Sequence, residues 1–123
     1  MSFVELRVQA GAELLRLEVD GILQGVSREL AVWKQLDRAM ESVVANISEA
    51  RGQRTEAQRA HYFAIARGSS DEVRGCLNGL ITRGLATPKQ VFRAIGLTHA
   101  LGKMLTSLIN RIAGNAVYAE SIL

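Results

Sequence analysis

The stretch WKQLDRAMESVVANI, residues 33–47, decides the fold class of this 123-residue chain. Its large apolar residues recur at steps of 3, 4, 3 and 4, at Trp33, Leu36, Met40, Val43 and Ile47. This spacing places them along one face of an α-helix and leaves charged and polar residues on the other faces. Alternation with a period of two is not sustained anywhere in the sequence, so we expect no β-strands.

The same helical spacing continues on both sides of this stretch. It is loose before residue 24 and strong in two later segments, built on Phe63, Ala66, Ser70, Val73, Leu77 and Leu80, and on Val91, Ala94, Thr98, Leu101, Leu105, Leu108 and Ile112. The sequence predicts helices near 3–24, 28–51, 55–83 and 88–113, then an apolar tail over 115–123 that docks on the rest. Because the connections are short, we predict one domain over 1–123, an all-α, up-down antiparallel four-helix bundle.

Capping residues mark the predicted helix ends. Thr87 precedes Pro88, and Gln90 lies where a capping box places a Glu or Gln. Thr55 and Gln58 repeat this arrangement without the proline, and Ser27 is positioned to cap a helix that opens at Arg28. Four glycines follow periodic segments, where a left-handed residue closes a helix: Gly25, Gly52, Gly84 and Gly114.

Seven further glycines fall inside the predicted helices, where each costs about 1 kcal/mol relative to alanine. They are Gly11, Gly21, Gly68, Gly75, Gly79, Gly96 and Gly102. One interpretation is close approach between helices, within the bundle or between subunits. The other is a helix break, for which the clearest place is after Gly68, where Ser69 and Ser70 could cap a new helix.

The charge is distributed unevenly along the chain. The formal net charge is +3, but residues 1–50 carry −3 and residues 51–123 carry +6. Arginine supplies 12 of the 15 basic residues. Such asymmetry is compatible with an anionic partner for the second half, such as RNA or DNA, and equally with a lopsided solvated surface.

The sequence carries no targeting or membrane signal that we recognise. The N-terminus lacks the basic and apolar regions of a signal peptide, and no uncharged apolar run reaches the ~18 residues of a membrane span. The single cysteine, Cys76, excludes an intrachain disulfide and lies beside the apolar stripe, so we expect a buried thiol. We expect a cytoplasmic protein without membrane partners.

Signatures of enzymes were sought and none fits. The segment Gly96–Met104 resembles a phosphate-binding loop, but it has five residues between its first two glycines and no preceding strand. His61 and His99 lack partners at metal-ligand spacing. Asn46 and Glu49 share a helix face, where a buried hydrogen-bond network is a better interpretation than acid–base catalysis. We predict a protein that is not an enzyme and needs no cofactor or metal.

Five arginines are the candidates for phosphate contact. Arg51, Arg54 and Arg59 cluster around the second connection, with Glu56 as their only acidic neighbour in sequence, and form the better candidate. Arg67 and Arg74 share one face of the third helix, where the alternative is an ordinary solvated face, since Asp71 lies at the helical spacing to pair with both. No aromatic platform for base stacking is evident, so we expect recognition of backbone and shape.

Two segments carry a family resemblance: SVVANISEARGQRT, residues 42–55, and FAIARGSSDEV, residues 63–73. Together they resemble the bacterial four helix bundle proteins, also called 23S ribosomal RNA intervening-sequence proteins. Ala50 and Gln53 depart from the usual glycine and arginine, and the family's early tryptophan is absent. The residues that match the motif, which the resemblance implies are structural, are Asn46, Glu49, Gly68, Ser69 and Glu72.

The resemblance implies an up-down four-helix bundle that assembles as a homopentamer, with no established catalytic residues. Similar accessory proteins of diversity-generating retroelements bind nucleic acid and a reverse transcriptase. We therefore expect a homo-oligomeric scaffold that associates with RNA or DNA through arginines. The alternative is a protein-interaction module with no nucleic-acid role.

Overall fold

The structure is a computed structural model that describes residues 2–122, and the side chains of residues 2–114. Four α-helices follow one another: α1 Phe3–Leu23, α2 Ala31–Arg51, α3 Glu56–Thr82 and α4 Pro88–Ile122. Each helix packs against its two neighbours in a square, α1 beside α2 and α4 and α3 beside α2 and α4, and no diagonal pair meets among the described residues. The prediction of an all-α four-helix bundle is confirmed.

The periodic apolar residues form the core between the four helices. Every residue predicted for the stripes of α3 and α4 is buried, including the polar Ser70 and Thr98. In α2, Leu36 is fully buried, whereas Trp33 is half-buried at the rim and its indole N–H donates a hydrogen bond to the Leu23 carbonyl at 3.1 Å. Each large aliphatic side chain buried in this way contributes about 1.5–3 kcal/mol.

The caps fix two helix starts as predicted. The backbone N–H of Thr87 donates to the Gln90 side chain at 2.8 Å, and the Gln90 N–H donates back to the Thr87 hydroxyl at 3.2 Å. The Thr55 hydroxyl accepts from the Gln58 N–H at 3.1 Å. Ser2 and Glu5 form a further capping box at the start of α1 that the sequence reading missed.

Two predicted boundaries are wrong. α2 opens at Ala31 rather than Arg28, because residues 27–30 form a turn in which the Ser27 hydroxyl accepts from the Glu29 N–H at 3.3 Å. α4 continues through Gly114 to Ile122, so the predicted tail is helical as far as that residue. One glycine costs only about 1 kcal/mol, which does not by itself stop a helix. The predicted docking of the tail lies outside the described side chains.

The glycines also correct the sequence reading. Gly84 alone among the described glycines has a left-handed backbone, with φ of 70°, so Gly25, Gly52 and Gly114 do not close helices in the predicted way. α3 runs unbroken through Gly68, so the alternative interpretation of a helix break there is wrong. Close approach within the bundle is found at Gly11, where an added Cβ would lie 3.1 Å from the Met104 methyl group. The other six glycines inside helices have open space where a Cβ would stand, and contact between subunits stays a prediction there.

A cluster of ionised side chains lies between α1 and α2. In the groove between α1 and α2, Arg16 bonds to Asp20 and, at 2.8 Å, to Asp37, with Glu41 at 3.9 Å. Burial alone would lower the pKa of Arg16, but the bonds to the two aspartates outweigh it and raise the pKa. Three carboxylates therefore surround one arginine here, whereas the surface groove between α3 and α4 is lined by three arginine or lysine side chains and one carboxylate.

Candidate functional site

The groove between α3 and α4 gathers four basic side chains. Arg67 and Arg74 line it from α3, and His99 and Lys103 line it from α4. Asp71 is the single carboxylate among the eight residues that line the groove. Three permanent cations against one carboxylate make this groove the strongest candidate for an anionic ligand in the described part of the chain.

The antiparallel packing of α3 and α4 sets the geometry of the groove. The Arg67 guanidinium donates to the Thr106 hydroxyl at 3.3 Å, and the buried Ser70 hydroxyl donates to the Thr98 carbonyl at 3.4 Å. Arg67 and Arg74 lie seven residues apart, about 10 Å along the axis of α3. The basic groups therefore form a short linear track that follows the two helices.

The cations of the groove differ in how far they are neutralised. Arg74 forms an ion pair with Asp71 at 3.0 Å on the same helix. Among the described side chains, no carboxylate lies within the 4.0 Å of an ion pair from Arg67 or Lys103. Partly exposed pairs such as Arg74–Asp71 contribute about 0–1 kcal/mol, so an incoming phosphate can compete for Arg74.

The arginines around the second connection lie apart from this groove. Arg54 is exposed, and Arg51 is exposed with its guanidinium bonded to the Gln9 side chain. Arg59 is mostly buried, paired with Glu5 and, at 2.9 Å, with Glu56. Two carboxylates already neutralise Arg59, so the cluster that the sequence ranked first presents two free cations at most.

The residues of the family motif divide into two groups. The Asn46 amide donates to the Ser42 carbonyl at 2.8 Å and to the Ser42 hydroxyl at 3.1 Å, and that hydroxyl lies 2.7 Å from the Ser69 hydroxyl across the α2–α3 contact. This network joins the two most closely packed helices. The remaining motif residues, Glu49, Gly68 and Glu72, are exposed.

Glu49 does not join the buried network predicted with Asn46. Its carboxylate accepts from the Gln53 amide at 3.1 Å at the exposed end of α2. Cys76 is buried, as expected, at 7 % exposure. Among the described residues no three His, Cys, Asp or Glu side chains come together at a spacing that holds a metal ion. No helix in the described residues combines the length and apolar character needed to cross a bilayer.

The α4 half of the groove was not predicted from the sequence. His99, Lys103 and Thr106 follow steps of 4 and 3, the same steps as Arg67, Asp71 and Arg74 on α3. Two polar stripes with matching steps on consecutive antiparallel helices are the signal that could have revealed it.

The square of helices and its capped turns define the chain as a four-helix-bundle protein, and comparison with known proteins extends this. The family model described as 23S rRNA-intervening sequence protein matches residues 5–107. The chain belongs to the 23S rRNA-intervening sequence protein family, as the resemblance indicated.

A solved structure shares the fold. It is a protein of unknown function from the S23 ribosomal protein family of Bacteroides thetaiotaomicron VPI-5482, with a TM-score of 0.82 at 22% identity. The match covers 88% of this chain and 99% of that one. A comparison with curated proteins gives no match.

Proposed function

We propose that this chain is a non-enzymatic, homo-oligomeric scaffold that binds the phosphate backbone of RNA or DNA in the groove between α3 and α4. The observation that carries the proposal is the excess of cations in that groove, with Arg67 and Lys103 free of carboxylate partners among the described residues. Arginine and lysine side chains are common phosphate contacts, and such contacts carry no sequence information directly.

Removal of two cations from the groove tests the proposal. In the variant Arg67→Gln/Lys103→Gln we expect binding to a labelled oligonucleotide to weaken by roughly tenfold or more at low salt. The logarithm of the association constant falls with the logarithm of the salt concentration, and each lost phosphate contact should make this fall less steep by about 0.7–0.9. Fluorescence anisotropy across a salt series measures both quantities.

The matched control is Lys34→Gln/Arg38→Gln, which removes the same charge from exposed positions of α2. If binding depended only on net charge, the two double variants would lose the same affinity for the oligonucleotide. Equal losses would therefore contradict a site in the groove. A wild-type protein that binds neither RNA nor DNA at low salt would contradict the whole nucleic-acid proposal. Arg51→Gln/Arg54→Gln, at the connection that the sequence ranked first, shows whether that cluster contributes.

The outer face of α1 supports self-association. Phe3, Leu6, Leu14 and Leu17 are 74%, 54%, 54% and 69% exposed on the side of the helix opposite the core. With Ala10 at the centre, this stripe has steps of 3, 4, 4 and 3, which read the same from both ends. Two antiparallel copies therefore match residue for residue, as an isologous contact requires.

Light scattering tests the oligomer. We expect wild-type protein to be larger than a monomer and Leu6→Lys/Leu17→Lys to reduce its mass, because burial of the lysine ammonium groups is costly. The control Ile65→Lys places a charge at an exposed apolar position of α3. A monomeric wild-type protein, or unchanged mass in the α1 variant, would contradict the contact. The homopentamer that the resemblance implies stays a prediction, because a ring of five is built from heterologous contacts, which the isologous α1 stripe does not supply.

The same α1 stripe favours the second candidate, a protein-interaction module with no nucleic-acid role. An exposed apolar stripe of this kind is typical of a surface that contacts another protein. Co-purification of one defined protein, lost in the α1 variant and kept in the groove variant, would favour this function. The same preparation would then show no affinity for RNA or DNA.

A further inference from the structure

One exposed stripe of α4 extends beyond the basic groove towards the start of the helix. Lys89, Phe92, Gly96, His99 and Lys103 follow steps of 3, 4, 3 and 4, and all five are exposed. His99 and Lys103 belong to the groove already described. The stripe therefore carries cations on both sides of a phenylalanine, within about 21 Å along the helix axis.

Packing within the bundle does not account for the phenylalanine at position 92. Its side chain is 76% exposed, the highest value among the described large apolar residues, and it takes no part in the core or in the partly buried layer around it. The adjacent Val91 supplies the buried contact at this turn of α4. A single exposed apolar residue is unremarkable by itself, so its position among cations carries the interpretation.

Gly96 leaves space beside the phenyl ring. It is one turn further along α4 on the same exposed stripe, and a Cβ built there would meet no atom within 4 Å. The residue one turn along from Phe92 therefore places no side chain of its own beside the ring. No aromatic platform was predicted from the sequence, because one phenylalanine among few aromatics is not informative until α4 shows which residues share its face.

We infer that Phe92 is a stacking platform for an unpaired base, flanked by Lys89 on one side and by His99 and Lys103 on the other as phosphate contacts. The inference rests on the proposed function and narrows its ligand to single-stranded nucleic acid. A duplex keeps the faces of its internal bases covered, whereas a single strand presents each base to an aromatic ring. One platform within a track of cations gives little preference among the bases, since every base has a π-face.

The test compares ligands with and without bases. We expect Phe92→Ala to weaken binding of a single-stranded oligonucleotide by roughly five- to a hundredfold. Binding of an abasic strand with the same length and charge should not change. Phe92→Tyr keeps the ring and should keep the affinity, whereas Phe92→Leu keeps apolar bulk without the ring and should behave like the alanine variant. Fluorescence anisotropy reports each affinity, and circular dichroism confirms that the exposed substitution leaves the helices intact.

The outcomes separate this inference from the proposed function. Equal affinity of wild-type and Phe92→Ala protein for the oligonucleotide would overturn the stacking role, while the groove variants could still show phosphate binding. If Phe92→Ala lost as much affinity for the abasic strand as for the oligonucleotide, the stacking role would also be overturned, because the loss would not depend on a base. Wild-type protein that binds neither strand would contradict the proposed function and, with it, the stacking role.

Discussion

At the scale of single residues, Cys76 links stability to pH. Burial raises the pKa of the thiol, and the charge of Glu72 raises it further. An unfolded cysteine titrates near pH ~8.5, so above that pH the unfolded chain releases a proton that the folded chain retains. The free energy of unfolding should therefore decline as pH rises above about 8.5, and more steeply in wild-type protein than in Cys76→Ala.

Urea unfolding of both proteins between about pH 7.5 and pH 10 measures this difference. The other titrating groups are common to the two proteins, so the difference between their pH slopes belongs to the thiol. Parallel slopes would contradict the coupling.

A second prediction at this scale concerns the ion pair between Glu5 and Arg59. It joins the start of α1 to the start of α3, and both side chains are mostly buried. Glu5→Gln keeps the capping box but leaves the guanidinium without its buried partner, and should lower the free energy of unfolding by about 1–3 kcal/mol. Glu56→Gln removes the more exposed partner of Arg59 and should cost about 0–1 kcal/mol. Equal costs in chemical denaturation would contradict this ranking.

At the scale of the helices, a glycine within α3 and a glycine just beyond its end lead to opposite predictions. Gly75 is helical and exposed with open space around it, so Gly75→Ala should raise the free energy of unfolding by about 0.5–1 kcal/mol. Gly84 has φ of 70°, where alanine is strained, so Gly84→Ala should lower it by about 1–2 kcal/mol. Thermal or urea denaturation gives both values. Destabilisation by Gly75→Ala would indicate that another copy packs against this face.

The helices α2, α3 and α4 were predictable from the sequence because each has one continuous apolar face. The pattern of α1 is looser because an exposed apolar stripe accompanies its buried one. The stripe of α4, from Val91 to Ile112, is buried as predicted. The start of α2 could not be predicted, since Ser27 suits an N-cap and a turn equally well. Nor could the end of α4, because a glycine such as Gly114 closes a helix only where the chain also turns.

At the scale of the whole molecule, Asp71 limits the charge of the basic groove. It pairs with Arg74 and occupies the position where a phosphate would compete. Asp71→Asn should therefore strengthen oligonucleotide binding by roughly threefold to tenfold and steepen its salt dependence, because one more cation is available. The control Asp37→Asn removes a carboxylate from the α1–α2 side and should leave binding nearly unchanged. Weaker binding by the Asp71 variant in fluorescence anisotropy would contradict the proposed groove.

The candidate site was only partly predictable, since it depends on which helices become neighbours. Arg67 and Arg74 were found as a stripe on one helix, but their value depends on His99 and Lys103, which α4 brings beside them. Arg59 was predicted to contact phosphate, but in the folded bundle it pairs with Glu5. This pair could not be predicted, because the two residues are far apart in sequence. Local spacing identifies charged residues, whereas the register between helices decides which remain available.

The unequal packing around the square has a consequence for how the bundle opens. α2–α3 and α3–α4 are the most closely packed pairs, and α1–α2 is the least. Regions with fewer tertiary contacts open with lower free energy than the rest of a protein, as amide hydrogen exchange reveals. The amides of α1 should therefore exchange before those of α3, through a partly open form in which the first helix detaches from the other three. In that form the core face of α1 would be uncovered in addition to its exposed apolar stripe, so two copies could exchange their first helices.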